Sequence, residues 1–315
     1  MHATPVRSTT QSNKNTIVRT KKKPAPARGA AWQRAIHGGV RPLVRGLSRV
    51  APATASRVAR SIFLRPPRLS PPNRETWWAT EAEEWSLSFG QGTLRAWRWG
   101  WGSKTVLLVH GWGGRGLQMG AFAAPLVEAG YRVVAYDAPG HGRSTGTHSS
   151  LPEKAAAVRA MVHHLGGVEA IVAHSAGAAA VTAALGQPGT ELPVGRLVYL
   201  APSVDMIGIT ERFAHLSGFP MAVVDRMREG IETQYGVLFR ELAGVAIAPQ
   251  LRQPLLVIHD RDDREIALAE GEALVRSWRG SELVVTEGLG HYRLLRDDRV
   301  VARGVTFVEG GASRG

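Results

Sequence analysis

From about residue 76 the apolar positions fall into two alternating rhythms. Short continuous apolar runs predict strands, and stretches with apolar residues three or four apart predict helices. Trp85–Phe89 and Thr93–Trp99 read as two antiparallel strands around Gly90-Gln91-Gly92. Thr105–Val109, Arg132–Tyr136, Ala170–Ala173, Arg196–Leu200, Leu255–His259 and Leu283–Thr286 read as further strands. Thr105–Val109 and Leu255–His259 are apolar throughout their middles, as strands buried on both faces are. Leu117–Ala129, Pro152–Leu165, Ala176–Leu185 and Asp297–Val308 read as helices, the second with proline in its first turn. Strands alternating with helices predict an α/β fold: a mostly parallel sheet with helices on both faces. Between Leu200 and Leu255 there is no strand signal. Helical spacing at Ile209/Phe213/Leu216 and Phe219/Val223/Met227/Ile231 predicts a helical cap insertion over about 203–250.

The first 74 residues have a different texture. Residues 1–30 are polar, basic and rich in Pro and Ala, a composition that predicts disorder. Over 40–64, Leu43, Val44, Leu47 and Val50, then Val58, Ile62 and Phe63, recur among arginines and predict two short amphipathic helices. Pro66-Pro67 and Pro71-Pro72 end helical structure and mark a boundary. The organisation expected is therefore a basic segment over 1–74 and an α/β domain over 75–315.

Charge sharpens that division. The chain carries a net +13, yet residues 1–74 hold 16 of the 39 Lys and Arg and no Asp or Glu. The remainder has 23 Lys and Arg against 26 Asp and Glu, so the body is slightly acidic. Positive charge alone gives no specific nucleic-acid reading, because no recognition motif accompanies it. The basic segment either packs on the body or lies on an anionic membrane surface. No apolar run approaches the ~18 residues of a spanning helix. The chain is expected to be cytoplasmic, with membrane contact at most peripheral. There are no cysteines, so thiolate chemistry is excluded.

Four pieces carry candidate chemistry, and their order matters. Ala170-Ile-Val-Ala-His-Ser-Ala-Gly-Ala178 ends a strand, presents Ser175 and starts a helix of small residues. A serine on such a turn projects its hydroxyl at the sheet edge. Val109-His-Gly-Trp-Gly-Gly114 follows another strand, and its glycines allow close backbone approach. The backbone N–H of Trp112 could pair with that of Ala176 to bind an oxyanion, or the segment is simply a glycine-rich turn. Gly111-Trp-Gly-Gly-Arg-Gly116 also matches the dinucleotide fingerprint, with Asp137 at the ribose position. Against that rival stands the irregular turn Asp137-Ala-Pro-Gly-His-Gly-Arg-Ser144, which a dinucleotide site does not need. In it Asp137 reads as structural, tying the loop by hydrogen bonds. Last come Leu255-Leu-Val-Ile-His-Asp-Arg-Asp-Asp263 and Leu289-Gly-His-Tyr292. A serine needs a base, and the base needs a carboxylate to hold its tautomer. His291 fits the base. Asp260, Asp262 and Asp263 all fit the acid.

Taken in order, these motifs resemble the α/β-hydrolase superfamily over about 85–310. They are most similar to a bacterial group with an H-G-W-G-G loop, a D-A-P-G-H-G-R-S turn and an A-H-S-x-G-A elbow. The resemblance implies an α/β-hydrolase fold, Ser175 as nucleophile, His291 as base, and Trp112 and Ala176 as oxyanion donors. In the superfamily the acid commonly stands three residues after a glycine. Asp260 occupies that glycine's place here, so the matching acid is Asp263. The elbow departs from G-x-S-x-G by having Ala173 first.

The expected activity is hydrolysis of a carboxylic ester or thioester with an apolar acyl part. No cofactor and no metal are expected. His174, Phe213 and Met227 are the candidate substrate contacts. The apolar residues of the insertion fit a substrate lining and fit the cap's own core equally well. Acyl transfer to another acceptor, a non-catalytic interaction module, and a dinucleotide-dependent oxidoreductase are the alternatives.

Overall fold

The computed structural model describes residues 41–310, apart from 69 and 190. The disorder expected over 1–30 lies outside the described residues. A single 8-stranded sheet runs through the body in the order β1-β2-β4-β3-β5-β6-β7-β8. Its strands are β1 (Glu83–Phe89), β2 (Gly92–Trp99), β3 (Thr105–Val109), β4 (Arg132–Tyr136), β5 (Val168–His174), β6 (Val194–Leu200), β7 (Leu255–Asp260) and β8 (Ser281–Thr286). β1 and β2 are antiparallel, as are β2 and β4; every pairing from β4 to β8 is parallel. β3 and β7 are buried along their whole length, whereas β1 and β8 at the two edges are half exposed.

Three short helices precede the sheet: α1 (Arg41–Val50), α2 (Pro52–Phe63) and α3 (Asn73–Thr80). Within the body lie α4 (Ala123–Glu128), α5 (Leu151–His164), α6 (Ala176–Leu185), α7 (Met206–Ser217), α8 (Met221–Tyr235), α9 (Gly244–Ile247), α10 (Leu268–Ser277), α11 (Gly290–Arg293) and α12 (Asp298–Val308). Local chemistry explains several boundaries. Ser150 and Glu153 form a capping box that starts α5, and Asp297 caps α12 by accepting from Arg299 and Val300 N–H. α6 is mostly alanine, so it lies close on the sheet with nearly its whole length buried. The apolar spacing over 117–129 resolves into a 3₁₀ stretch, Gly116–Phe122, before α4. α3 and α10 had no separate expectation in the sequence.

Two apolar layers cover the sheet. One joins Leu107, Ile171 and Tyr199 to α5, α6 and Trp278. The other joins Leu108, Val172 and Ile258 to Phe122, Leu126 and α12. A third cluster lies apart from both. It packs Val44, Ala55, Ala59 and Leu64 from the basic segment against Met206, Phe219, Val224, Met227 and Ile231 of the insertion. Ala55 and Ala59 are fully buried, and their small side chains let α2 approach α8 closely. Phe63 meets Phe213 edge-on, with ring centroids 5.2 Å apart. The helical layer over residues 206–247 is therefore built jointly with α1 and α2. Among the described residues no helix is long and apolar enough to cross a membrane.

Candidate active site

The parallel strands end along one edge of the sheet, and that edge gathers the four motifs. β5 ends at His174, and α6 begins at Ala176, so Ser175 alone makes the turn. Its φ of 51° and ψ of −123° belong to the region where glycine is the usual residue. Such a conformation costs about 1–3 kcal/mol and persists only where its surroundings impose it. Ser175 N–H donates to Leu200 O at 3.0 Å, and Ser175 O accepts from Ala178 N–H at 2.9 Å. Gly177 is required by its neighbour: a Cβ there would lie 2.6 Å from His110 O. Ser175 is 8% exposed. Among the described residues its hydroxyl makes no hydrogen bond, so it is not committed to a structural role.

The aspartates at the end of β7 and in the turn after it separate into three tasks. Asp263 Oδ2 accepts from His291 Nδ1 at 2.7 Å, and its Oδ1 accepts from the N–H groups of Glu265 at 2.8 Å and Ile266 at 3.0 Å. Burial alone would raise this carboxyl. The hydrogen bond and charge of His291, with the two amides, outweigh burial and hold it below the usual carboxylate value. Asp260 instead accepts from Asp262, Leu289 and Gly290 N–H and from Thr286 Oγ1, which clamps the loop carrying His291. Asp262 accepts from Gly288 N–H. Since Nδ1 of His291 donates to Asp263, the neutral ring leaves Nε2 with a lone pair, the tautomer a base requires. His291 is 7% exposed.

The loop after β3 is pinned from several sides. Ala138 N–H donates to His110 Nε2 at 2.9 Å, so His110 carries its proton on Nδ1 and donates to Gly111 O at 2.6 Å. Burial first, then the charge of Lys154, push His110 well below its ordinary value and keep it neutral. Asp137 ties the loop to the turn after β4, accepting Gly116 N–H and Arg143 N–H, each at 2.7 Å. Burial raises Asp137 to about 6 against those two amides. With both oxygens engaged inside the protein, Asp137 is not disposed to hold a ribose. Arg115 makes an ion pair with the buried Glu75 of α3, with Nη2 2.9 Å from Oε1. Among the described residues no backbone hydrogen bond engages Trp112 N–H or Ala176 N–H. Among the described residues no group of three or more His, Cys, Asp or Glu side chains is arranged to hold a metal ion.

Residues 106–303 match the model of the alpha/beta hydrolase family. The chain belongs to that family. Over 147 residues it is 31% identical to a non-heme haloperoxidase of Rhodococcus erythropolis. That stretch is 45% of this chain and 53% of the relative, so the chain spans about half the length of that curated protein. An esterase from Pyrococcus furiosus shares the fold with a TM-score of 0.59 at 18% identity, over 78% of this chain and 97% of that one. Alpha/beta hydrolase domain-containing protein 10 from mouse does so with a TM-score of 0.58 at 12% identity, over 73% and 98%. These two are likenesses of fold.

The family's sheet edge thus holds Ser175, His291, Asp263, Trp112 and Ala176, drawn from four separate strand ends. The other sequence candidates sit elsewhere. His174 is buried behind the turn, and its Nε2 donates to His291 O at 3.0 Å, which makes it a support for the His291 loop. Met227 is fully buried in the cluster shared by α8 and α2, and Phe213 packs between Phe63 and Phe219. Both are placed in the cap's own core. Contacts that the sequence does not signal also matter here. Asp260 as loop clamp, Glu75 beneath Arg115, and Lys154 under the His110 loop all act through contacts between distant segments, which periodicity does not report.

Proposed function

We propose that the protein is a serine hydrolase acting by acyl transfer, with Ser175, His291 and Asp263 as its triad. The observation that carries this reading is the conjunction of a strained, uncommitted Ser175 with a His291 whose Nδ1 is fixed on Asp263. Ser175 Oγ attacks the carbonyl carbon while His291 Nε2 takes its proton. The tetrahedral oxyanion is met by Trp112 N–H and Ala176 N–H, helped by the N-terminus of α6. The imidazolium, stabilised by Asp263, gives the proton to the departing alkoxide or thiolate. Water then attacks the acyl-enzyme with His291 again as base, and a carboxylic acid leaves. The substrate is an ester or thioester with an apolar acyl part; the nearly covered Ser175 and His291 favour a group that tolerates desolvation.

A fluorophosphonate probe followed by mass spectrometry tests the reading. Labelling is expected at Ser175, at a rate strongly reduced in His291→Ala. Labelling elsewhere, or at full rate without His291, overturns it.

The basic segment supports a second element of function, peripheral contact with an anionic membrane. Leu43 and Val50 are 74% and 87% exposed on α1, beside exposed Arg45 and Arg49. An interfacial helix combines apolar and cationic side chains in this way. Removing the segment would strip the cap of its core, so the test is Arg45→Glu with Arg49→Glu. This variant is expected to lose sedimentation with phosphatidylserine vesicles while keeping the wild-type circular dichroism spectrum. Undiminished sedimentation counts against membrane contact.

A further inference from the structure

Among the described residues, one lysine lies inside the protein with no acidic side chain paired to it. Lys154 stands at the end of the first turn of α5 and is 1% exposed. Among the described residues its only hydrogen bond is from Nζ to His110 O, at 3.4 Å, and it makes no ion pair. A lysine normally extends its ammonium to water along an apolar stem. Here the side chain is turned inward, near the start of its own helix, where the dipole also disfavours a cation. Burial alone brings its ammonium down to about 7. Among the described residues no ion pair repays this burial, so a methionine of similar length is expected to suit the space at least as well.

What Lys154 faces is more informative. His110 O, its acceptor, abuts the first turn of α6, where a Cβ on Gly177 would lie 2.6 Å away. The ammonium and the turn at Ser175–Gly177 therefore both approach the His110 carbonyl. Two residues beyond His110 stands Trp112, whose N–H is uncommitted. The titratable groups around Lys154 are His110 after β3, His141 in the turn after β4 and His174 at the end of β5, and its charge disfavours protonation of each. Each ring is held neutral chiefly by burial. Hydrogen bonds fix the tautomers: His141 Nδ1 is 2.9 Å from Pro139 O, and His174 Nε2 is bonded to His291 O. With those rings uncharged, Lys154 is the buried cation next to the loop that receives the oxyanion, while Arg115 in that loop is paired with Glu75 and Arg68 acts on His141 from outside.

We propose that Lys154 is a positioning residue for the acyl-transfer reaction, its ammonium fixing the His110–Trp112 loop and setting a positive potential beneath the developing oxyanion. The inference rests on the reading of Ser175 as nucleophile. It makes the charge worthwhile only when an anion forms above it. Stability and rate then respond to Lys154 with opposite signs.

The test compares the full-length wild type with Lys154→Met and Lys154→Gln, using a p-nitrophenyl ester and the fluorophosphonate probe. In both variants kcat is expected to fall at least about tenfold, as for the loss of support to an oxyanion donor, with KM little changed. The melting temperature of Lys154→Met is expected to equal or exceed that of the wild type. The wild type is expected to lose activity as pH rises through about 7, where Lys154 sheds its proton, and the variants to lack that alkaline limb. The sign for stability is the reverse. A lysine whose folded value is depressed binds fewer protons folded than unfolded above that value, so wild-type stability rises with pH and the methionine variant's does not. If Ser175 is labelled in the wild type and Lys154→Met shows wild-type kcat and an unchanged pH profile, this inference alone is overturned. A lowered melting temperature with kcat retained in the folded fraction also overturns it, in favour of a purely structural lysine. If the wild type is not labelled at Ser175, the hydrolase reading fails and takes this inference with it.

Discussion

Ser175→Gly is expected to abolish turnover, lowering kcat by about 10⁶-fold, while leaving the protein at least as stable as before. On the proposed mechanism, the loss follows from removing the atom that would form the acyl-enzyme. With no nucleophile, His291 and the two backbone donors retain only binding and weak polarisation. The stability follows from the backbone. At φ 51° and ψ −123° a side chain is strained, and glycine relieves about 1–3 kcal/mol of that strain. Against this, glycine's freer unfolded state costs about 1 kcal/mol. The two effects leave a net change between about zero and a 2 kcal/mol gain. Urea denaturation and single-turnover kinetics measure both halves together. A serine held there only as a helix cap would give the opposite pattern: unaltered rate and lowered stability.

Asp263→Asn and Asp260→Asn are expected to differ in kind, although the residues are three apart. Asn at 263 offers His291 an amide in place of a carboxylate. The ring is then free to place its proton on the wrong nitrogen, and kcat is expected to fall about 10⁴-fold. The carboxyl of Asp263 is held low in the folded protein. Its stabilising contribution is therefore present at neutral pH and is lost only as pH falls through that low value. The variant forgoes that contribution at neutral pH but keeps its fold. Asp260 touches no candidate reacting group. It accepts from three N–H groups and a hydroxyl, all within the loops bearing Asp263 and His291. An amide at 260 would turn a donor toward donors, at a cost of about 2–4 kcal/mol. Its folded fraction is expected to keep far more activity than Asp263→Asn does. Equal losses of kcat per folded molecule in the two variants would mean that Asp263 is not the residue orienting His291.

Much of this site was legible in the chain because short-range chemistry dictates it. A buried apolar run reads as a strand whatever surrounds it, and the small residues around Ser175 suit a tight strand-to-helix turn. Hence the strands of the sheet, the helix Ala176–Leu185 and the order of the motifs follow from local pattern. The charge division at residue 74 is equally local. It does not reveal that the arginine-rich helices face inward with Val44, Ala55, Ala59 and Leu64 and complete the cap's core. An amphipathic helix shows which face is apolar but not what that face meets. For the same reason Phe213 and Met227 carried two readings in the sequence, lining or core.

The choice among Asp260, Asp262 and Asp263 shows the boundary most clearly. All three are short acids in one turn, and spacing cannot tell them apart; the resemblance selected Asp263 only by the place of a missing glycine. The tertiary structure separates them by where each carboxylate finds donors: loop amides for Asp260, Gly288 for Asp262, and the imidazole for Asp263. Lys154 lies wholly on the far side of that boundary. In sequence it is one lysine in a helix; only the fold turns it inward beneath His110. By itself the sequence determined the sheet, the motifs and the chemistry they can support. The tertiary structure decided which side chains meet, because burial and hydrogen-bond pairing are settled between segments far apart in the chain.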